Sequence, residues 1–178
     1  RAEEDFRKNK WKNVVSNPMF LLSDFPGVEG RLITETDIKN SATNTCVYVL
    51  SRQAGEGVDR REKKGDFYVT DIERANIEIC ARAYEKFVLI INGGAQIDIS
   101  FLDDMDGVNA LLFICQLGTA GGQAVADVLC GKVSPSGKLT DTWAKKYSDI
   151  PFSKEFSYLN GNLKDEYYKE GIFVGYRY

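Results

Sequence analysis

Cys46-Val47-Tyr48-Val49-Leu50 runs directly into Ser51-Arg52-Gln53-Ala54-Gly55-Glu56-Gly57-Val58-Asp59-Arg60. The first five residues are continuously apolar and read as a buried strand. The apolar run then stops, and a glycine-flanked carboxylate follows at once. Gly55 and Gly57 reach backbone angles closed to other residues, so the loop can turn sharply and hold Glu56 beyond the strand end. In open parallel α/β sheets, ligands bind outside the carboxyl ends of the strands. Glu56 is therefore a candidate site residue. A solvated loop glutamate is the plainer reading of the same stretch.

Working outward, Thr45 to Ser51 is the first predicted strand, and the loop from Arg52 to Asp66 is polar and heavily charged. Upstream, Thr34-Glu35-Thr36-Asp37 resembles a capping box and opens a short helix to about Asn40. Downstream, Thr70 caps a second helix with Glu73 three residues on, and Ile72, Ala75, Ile79 and Ala83 supply its apolar stripe. Phe87 to Ile91 is a second buried strand, ended by a turn at Asn92-Gly93-Gly94. A short helical segment is expected over Ile97 to Leu102, and a third strand over Val108 to Cys115. Gly118 to Gly122 leads into a helix from about Gln123 to Leu129, which Gly131 ends. Ile172 to Tyr178 reads as a strand. Alternating strands and helices with right-handed crossovers predict an α/β fold, with a mostly parallel sheet and helices on both faces.

The chain has 178 residues, enough for one domain with a sizeable core. Its net charge of -3 gives no reason to expect a nucleic-acid partner. No apolar run is long enough to span a membrane. There is no histidine, which excludes Ser-His-Asp and Cys-His catalysis and any histidine-ligated metal within these residues. Cys46, Cys80, Cys115 and Cys130 form no CxxC pair and each lies in or beside an apolar segment. They are expected to be buried, reduced thiols of a cytoplasmic protein. Arg1 is not an initiator methionine, and both ends of the sequence read as cut from a longer polypeptide.

Three stretches, one of them within the opening run, carry a resemblance. Gly118-Thr119-Ala120-Gly121-Gly122 with the run that follows it to Pro135-Ser136-Gly137-Lys138-Leu139, Gly55-Glu56-Gly57-Val58-Asp59-Arg60, and Tyr168-Lys169-Glu170-Gly171-Ile172-Phe173-Val174-Gly175-Tyr176-Arg177-Tyr178 together resemble the second domain of glycoside hydrolase family 3. The middle stretch is similar to that family's GEGxDR loop. The match covers about residues 45–178, and residues 1–44 match less well. Thr119-Ala120 stands where the family has Gln-Glu, and Thr140 where it has proline.

The resemblance implies a three-layer α/β/α sandwich with a mostly parallel sheet of about five to six strands. The domain would span residues 1–178, with 1–44 a less certain N-terminal part and 165–178 the start of a segment leading onward. The resemblance also implies a retaining β-glycosidase that hydrolyses terminal β-D-glucosyl residues. Its nucleophile would sit on a barrel domain of the same polypeptide, and its acid/base glutamate on this domain. By position that glutamate is Glu56. Gly55, Gly57, Asp59 and Arg60 would shape the loop or touch the sugar. The implied partners are the barrel domain and a β-glucoside or oligosaccharide, with no cofactor, metal, nucleic acid or membrane.

Retaining hydrolysis needs two carboxyls about 5–5.5 Å apart. One attacks the anomeric carbon, and the other gives a proton to the leaving oxygen and later takes one from water. The donor needs a raised pKa. Arg52, Arg60 and Arg61 instead favour ionised Glu56, so the missing barrel would have to bury it. Asp59 and Arg60 read as a local ion pair or as sugar contacts. Gly118 to Gly122 lacks the lysine and serine of a P-loop and reads as close packing. Asp103, Asp104 and Asp106 lack the spacing of an EF-hand loop and read as a solvated turn. The rival function is a non-catalytic α/β module that binds a small ligand or partner at its strand ends.

Overall fold

The computed structural model describes residues 30–52, 61–155, 164–165 and 167–177. They fall into two compact units. One holds the described residues up to Ile97 together with Asp104–Gln116, and the other holds Asp98–Asp103 and the described residues from Leu117 onward.

In the first unit the elements are α1 (Glu35–Ser41), β1 (Thr45–Ser51), α2 (Asp71–Ala83), β2 (Lys86–Asn92) and β3 (Ala110–Phe113). The strands form a parallel sheet in the order β1-β2-β3. Among the described residues the sheet thus has three strands, fewer than the five or six expected. The register pairs Cys46 with Phe87, Tyr48 with Leu89 and Leu50 with Ile91. Registered neighbours in a parallel pair share a face, and α2 lies over this one. Leu50, Phe87, Leu89, Ile91, Ile77 and Cys80 are buried there, and each large apolar side chain so buried contributes about 1.5–3 kcal/mol. On the opposite face Ile90 is buried, while Val47 and Val49 of β1 are exposed.

Both predicted capping boxes form. Thr34 and Asp37 start α1, and Thr70 and Glu73 start α2. The buried face of α2 differs from the expected stripe. It is Asn76, Ile77, Cys80 and Ala81, rather than Ile72, Ala75, Ile79 and Ala83. Ile77, Cys80 and Ala81 form an apolar set of their own at i, i+3 and i+4, and Asn76 joins them as the one polar member. Its Nδ2 donates to the Arg31 carbonyl at 3.0 Å, and its Oδ1 accepts from the Ile33 N–H at 2.7 Å. These two bonds let a polar side chain be buried on the same face as Ile77 and Cys80.

β3 is shorter than Val108–Cys115. Gly107 and Cys115, at φ 94° and 50°, bracket it with left-handed backbone that no strand can contain. Gly107 is also required by space, since a Cβ there would lie 2.2 Å from the Ala81 carbonyl oxygen at the end of α2.

The second unit contains α3 (Gly121–Leu129) and three single turns of 3-10 helix, at Ser100–Leu102, Tyr147–Asp149 and Gly175–Arg177. The helical segment expected at Ile97–Leu102 is thus one turn. Gly131, at φ 72°, ends α3 as expected. The strand expected from Ile172 is absent among the described residues. Gly171 and Gly175 adopt φ 59° and 61°. Phe173 N–H bonds locally to the Glu170 carbonyl at 3.0 Å, as Arg177 N–H does to that of Val174 at 3.3 Å, so the backbone closes on itself in turns.

All four cysteines are free. Cys80 is buried and Cys46 half-buried, but Cys115 and Cys130 are exposed, contrary to expectation. The exposed pair sits just past the ends of β3 and α3, where the chain leaves its apolar surroundings. No helix among the described residues is long and apolar enough to cross a membrane.

Candidate functional site

The carboxyl end of β1 is where Glu56 is expected. Gly55, Glu56, Gly57, Asp59 and Arg60 all lie outside the described residues, and so does the expected Asp59–Arg60 ion pair. The structure describes the ground on either side of them: Ser51 and Arg52 before the segment, and Arg61 onward after it.

On the departing side, the Arg52 N–H donates to the Asn92 carbonyl at 2.9 Å, continuing the β1–β2 ladder one residue past the strand. The Arg52 side chain turns inward. Its Nε donates to the Asp66 carbonyl at 2.9 Å, and its Nη1 to the Ser51 carbonyl at 2.9 Å and to Glu73 Oε1 at 2.6 Å. Its Nη2 donates to the Tyr68 carbonyl at 3.3 Å and to Glu73 Oε2 at 2.6 Å. A guanidinium offers five N–H donors in a rigid fork, and all of them are used here. The two side chains of the pair are 6% and 15% exposed. Burying charges at this depth is tolerable only because the pairing is bidentate and the remaining donors meet carbonyls.

On the returning side, residues 61–68 form a compact knot. The Asp66 carboxylate accepts from the Arg61 N–H at 2.8 Å. The Arg61 carbonyl accepts from the N–H groups of Lys63 and Phe67, and the Lys63 carbonyl from those of Asp66 and Tyr68. Gly65, at φ 83°, lets the knot close. Phe67 is buried, with the Tyr68 ring edge-on to it at 5.1 Å. The knot hands over to Thr70, whose N–H donates to Glu73 Oε2 at 2.8 Å, while its Oγ1 accepts from the Glu73 N–H at 3.1 Å. One arginine thus gathers the end of β1, the returning leg of the loop, the start of α2 and the end of β2.

In the sequence, Arg52 stands with Arg60 and Arg61 as positive charge favouring ionised Glu56. The structure removes Arg52 from that group, because Glu73 neutralises it at hydrogen-bond distance. The sequence shows Arg52 only as one charge among several; its burial and its five hydrogen bonds are structural findings. The signal available was a lone arginine at a strand end, followed by a capping-box glutamate that a long side chain can reach.

The other sequence candidates form no site of their own among the described residues. A Cβ on Gly121 would lie 2.4 Å from Leu117 Cβ, so the glycine-rich entrance to α3 serves close approach within its own turn. Asp103, Asp104 and Asp106 are exposed and lie in turns. No three His, Cys, Asp or Glu side chains among the described residues are grouped to hold a metal ion.

Comparison with known proteins adds a family. The sequence model described as "Glycosyl hydrolase family 3 C-terminal domain" matches residues 9–176. A β-glucosidase of Ruminococcus albus is 38% identical over 137 residues, covering 77% of this chain and 14% of that protein. Beta-glucosidase A of Butyrivibrio fibrisolvens is 33% identical over 159 residues, covering 76% and 19%. Among solved structures, a β-glucosidase from Paenibacillus barengoltzii superposes with a TM-score of 0.80 at 30% identity, covering 98% of this chain and 20% of that one. Beta-glucosidase 3B from Thermotoga neapolitana, solved with α-D-glucose, gives 0.77 at 31% identity, covering 98% and 25%. The chain therefore spans a quarter or less of the length of these relatives.

Proposed function

From the premise that the chain belongs to glycosyl hydrolase family 3 as its C-terminal domain, we propose that it is the acid/base-bearing domain of a retaining β-glucosidase. Glu56 is the general acid/base. Gly55, Gly57, Asp59 and Arg60 shape its loop or meet the sugar. A barrel domain of the same polypeptide supplies the nucleophilic carboxylate, and a β-glucoside or oligosaccharide is the substrate. Residues 1–178 make one domain, with 165–178 leading onward, and the full sheet has five to six strands in a three-layer sandwich. No cofactor or metal takes part, and the four thiols suit a cytoplasmic protein.

The carrying observation is the framing of the segment between Arg52 and Arg61. Arg52 before it stands at the carboxyl end of a parallel strand, and Arg52 and residues 61–68 after it are held by hydrogen bonds. A loop so mounted can offer a carboxyl to a second domain at the place where open α/β sheets bind ligands.

In the reaction, the glycosidic C–O bond breaks as the barrel's carboxylate attacks the anomeric carbon. The leaving oxygen keeps the electron pair and takes the proton of Glu56. Water then attacks the glycosyl-enzyme and returns a proton to Glu56. The domain alone has the acid without the nucleophile and is inactive.

The test is to assay the full polypeptide carrying this domain on aryl β-glucosides beside its Glu56→Gln variant. Loss of turnover that grows as the leaving group becomes more basic supports the reading. Equal activity in the two proteins, or Glu56-dependent turnover by residues 1–178 alone, overturns it.

A further inference from the structure

Arg52 fixes where the loop begins and where it returns. A guanidinium buried at the end of a strand is expensive, and a core of this size has no need of one for stability alone. Three of its five hydrogen bonds go to backbone carbonyls, those of Ser51, Asp66 and Tyr68. The other two hold Glu73, whose Oε2 also accepts from the Thr70 N–H and so ties the fork to the first turn of α2. The backbone of Arg52 is itself bonded to Asn92 on β2. The position from which the chain departs toward Glu56 is thereby referenced to two strands, a helix start and the returning leg.

From this we propose that Arg52 is a positioning residue for the general acid/base. It sets the place of the loop that carries Glu56 without touching substrate. The inference rests on the assignment of Glu56 above and extends it to a residue outside the glycine-flanked loop. The physical requirement is strict, since a misplacement of about 1 Å can cost roughly 10²-fold in rate. Lysine cannot replace the fork. It keeps the charge toward Glu73 but has three donors on a tetrahedral nitrogen, so it cannot hold the carboxylate and all three carbonyls together.

The experiment compares wild type, Glu56→Gln and Arg52→Lys in the full polypeptide, with thermal melting to confirm folding. Each protein is assayed on two β-glucosides. One has a 2,4-dinitrophenolate leaving group, which departs without a proton, and the other an alkyl alcohol, which needs one. General acid catalysis is worth about 10²–10⁴-fold. Glu56→Gln is expected to lose kcat/KM, which reports the bond-breaking step, in that range on the alkyl glucoside and far less on the dinitrophenyl one.

Arg52→Lys is expected to show the same asymmetry in smaller measure. Its kcat/KM should fall about 10–100-fold on the alkyl substrate and by no more than a few-fold on the activated one. Glu73→Gln keeps an acceptor for Thr70 and weakens only the grip on Arg52, so it should fall between wild type and Arg52→Lys. Equal losses on both substrates in Arg52→Lys and Glu73→Gln would mean that the pair serves folding only, and would overturn the positioning role while leaving Glu56 in place. If Glu56→Gln itself shows no dependence on the leaving group, the assignment of Glu56 fails and the role of Arg52 falls with it. Should Arg52→Lys prove unfolded, Glu73→Gln decides by the same criterion.

Discussion

α1 and α2 begin with the same device and use it differently. Each opens on a threonine whose side chain accepts from the N–H three residues on, where a carboxylate reaches back to the threonine N–H. Each carboxylate is gripped by an arginine through two nitrogens. Arg31 holds Asp37 at 2.7 Å through both, and Arg52 holds Glu73 at 2.6 Å through both. The difference is depth. Arg31 and Asp37 are 72% and 33% exposed, against 6% and 15% for Arg52 and Glu73. Arg31 is a near neighbour in sequence, whereas Arg52 arrives from the end of another strand. At the surface the motif only starts a helix. In the interior it becomes a joint between a sheet, a helix and a loop.

The largest effect that could break this comparison is the removal of each arginine in turn. Arg52→Met strands a buried carboxylate and three carbonyls, and should cost about 3–5 kcal/mol in urea denaturation. Arg31→Met should barely move the midpoint, because exposed ion pairs add little. Similar losses in the two variants would show that depth is not what separates the boxes.

Next in size is Asn76, the other long-range tie on the buried side. Asn76→Leu leaves the Ile33 N–H and the Arg31 carbonyl without their partner. It should destabilise by about 1–3 kcal/mol for each group that water fails to reach, even though leucine is the more apolar residue. An unchanged midpoint would confine long-range tying to Arg52.

Smaller again is an alkaline effect on the same helix. Burial pushes the Cys80 thiol up to about 12, and burial likewise raises that of its neighbour Cys46. A raised folded value gives stability that is complete below the unfolded thiol pKa of about 8.5 and is lost as pH climbs through the folded one. Melting temperature should therefore fall above about pH 9, with a gentler slope in Cys80→Ala than in the wild type. In native protein at pH 8, Ellman's reagent should find Cys115 and Cys130 quickly and Cys46 and Cys80 slowly.

The smallest effect belongs to the exposed box. The Arg31 side chain, and after it the Thr34 N–H, hold the Asp37 carboxyl well below the usual range. A depressed folded value contributes stability above the unfolded pKa of about 3.9, which is lost as pH falls toward the folded one. Asp37→Asn should flatten the acid limb of the melting profile slightly and leave the neutral region alone.

Much of the fold is legible in the residues. β1 and the caps of both helices follow from a short apolar run and from T-x-x-D and T-x-x-E, all local signals. The buried face of α2 is not legible, because α2 carries two apolar sets, and the burial of Asn76 depends on backbone groups 43 and 45 residues away. The strand read into Ile172–Tyr178 fails for a local reason. Its apolar residues fit a strand, but two glycines at positive φ make turns of it. At the candidate site, Glu56 and its glycines announce themselves by type and spacing. Arg52 does not, because its importance depends on burial and on carbonyls 14 and 16 residues on.

Whether burial makes the second capping box a joint is tested most directly by a pair of double-mutant cycles. In one, Arg52 and Glu73 are replaced by Met and Gln singly and together. In the other, Arg31 and Asp37 are replaced by Met and Asn. A cycle removes the penalty of the stranded partner that inflates single variants, leaving the coupling itself. The coupling between Arg52 and Glu73 should be about 2–3 kcal/mol, at the upper end for contacting residues, and should survive 1 M salt. That between Arg31 and Asp37 should be far smaller and should fade as salt is added. Equal couplings with equal salt dependence would contradict the account.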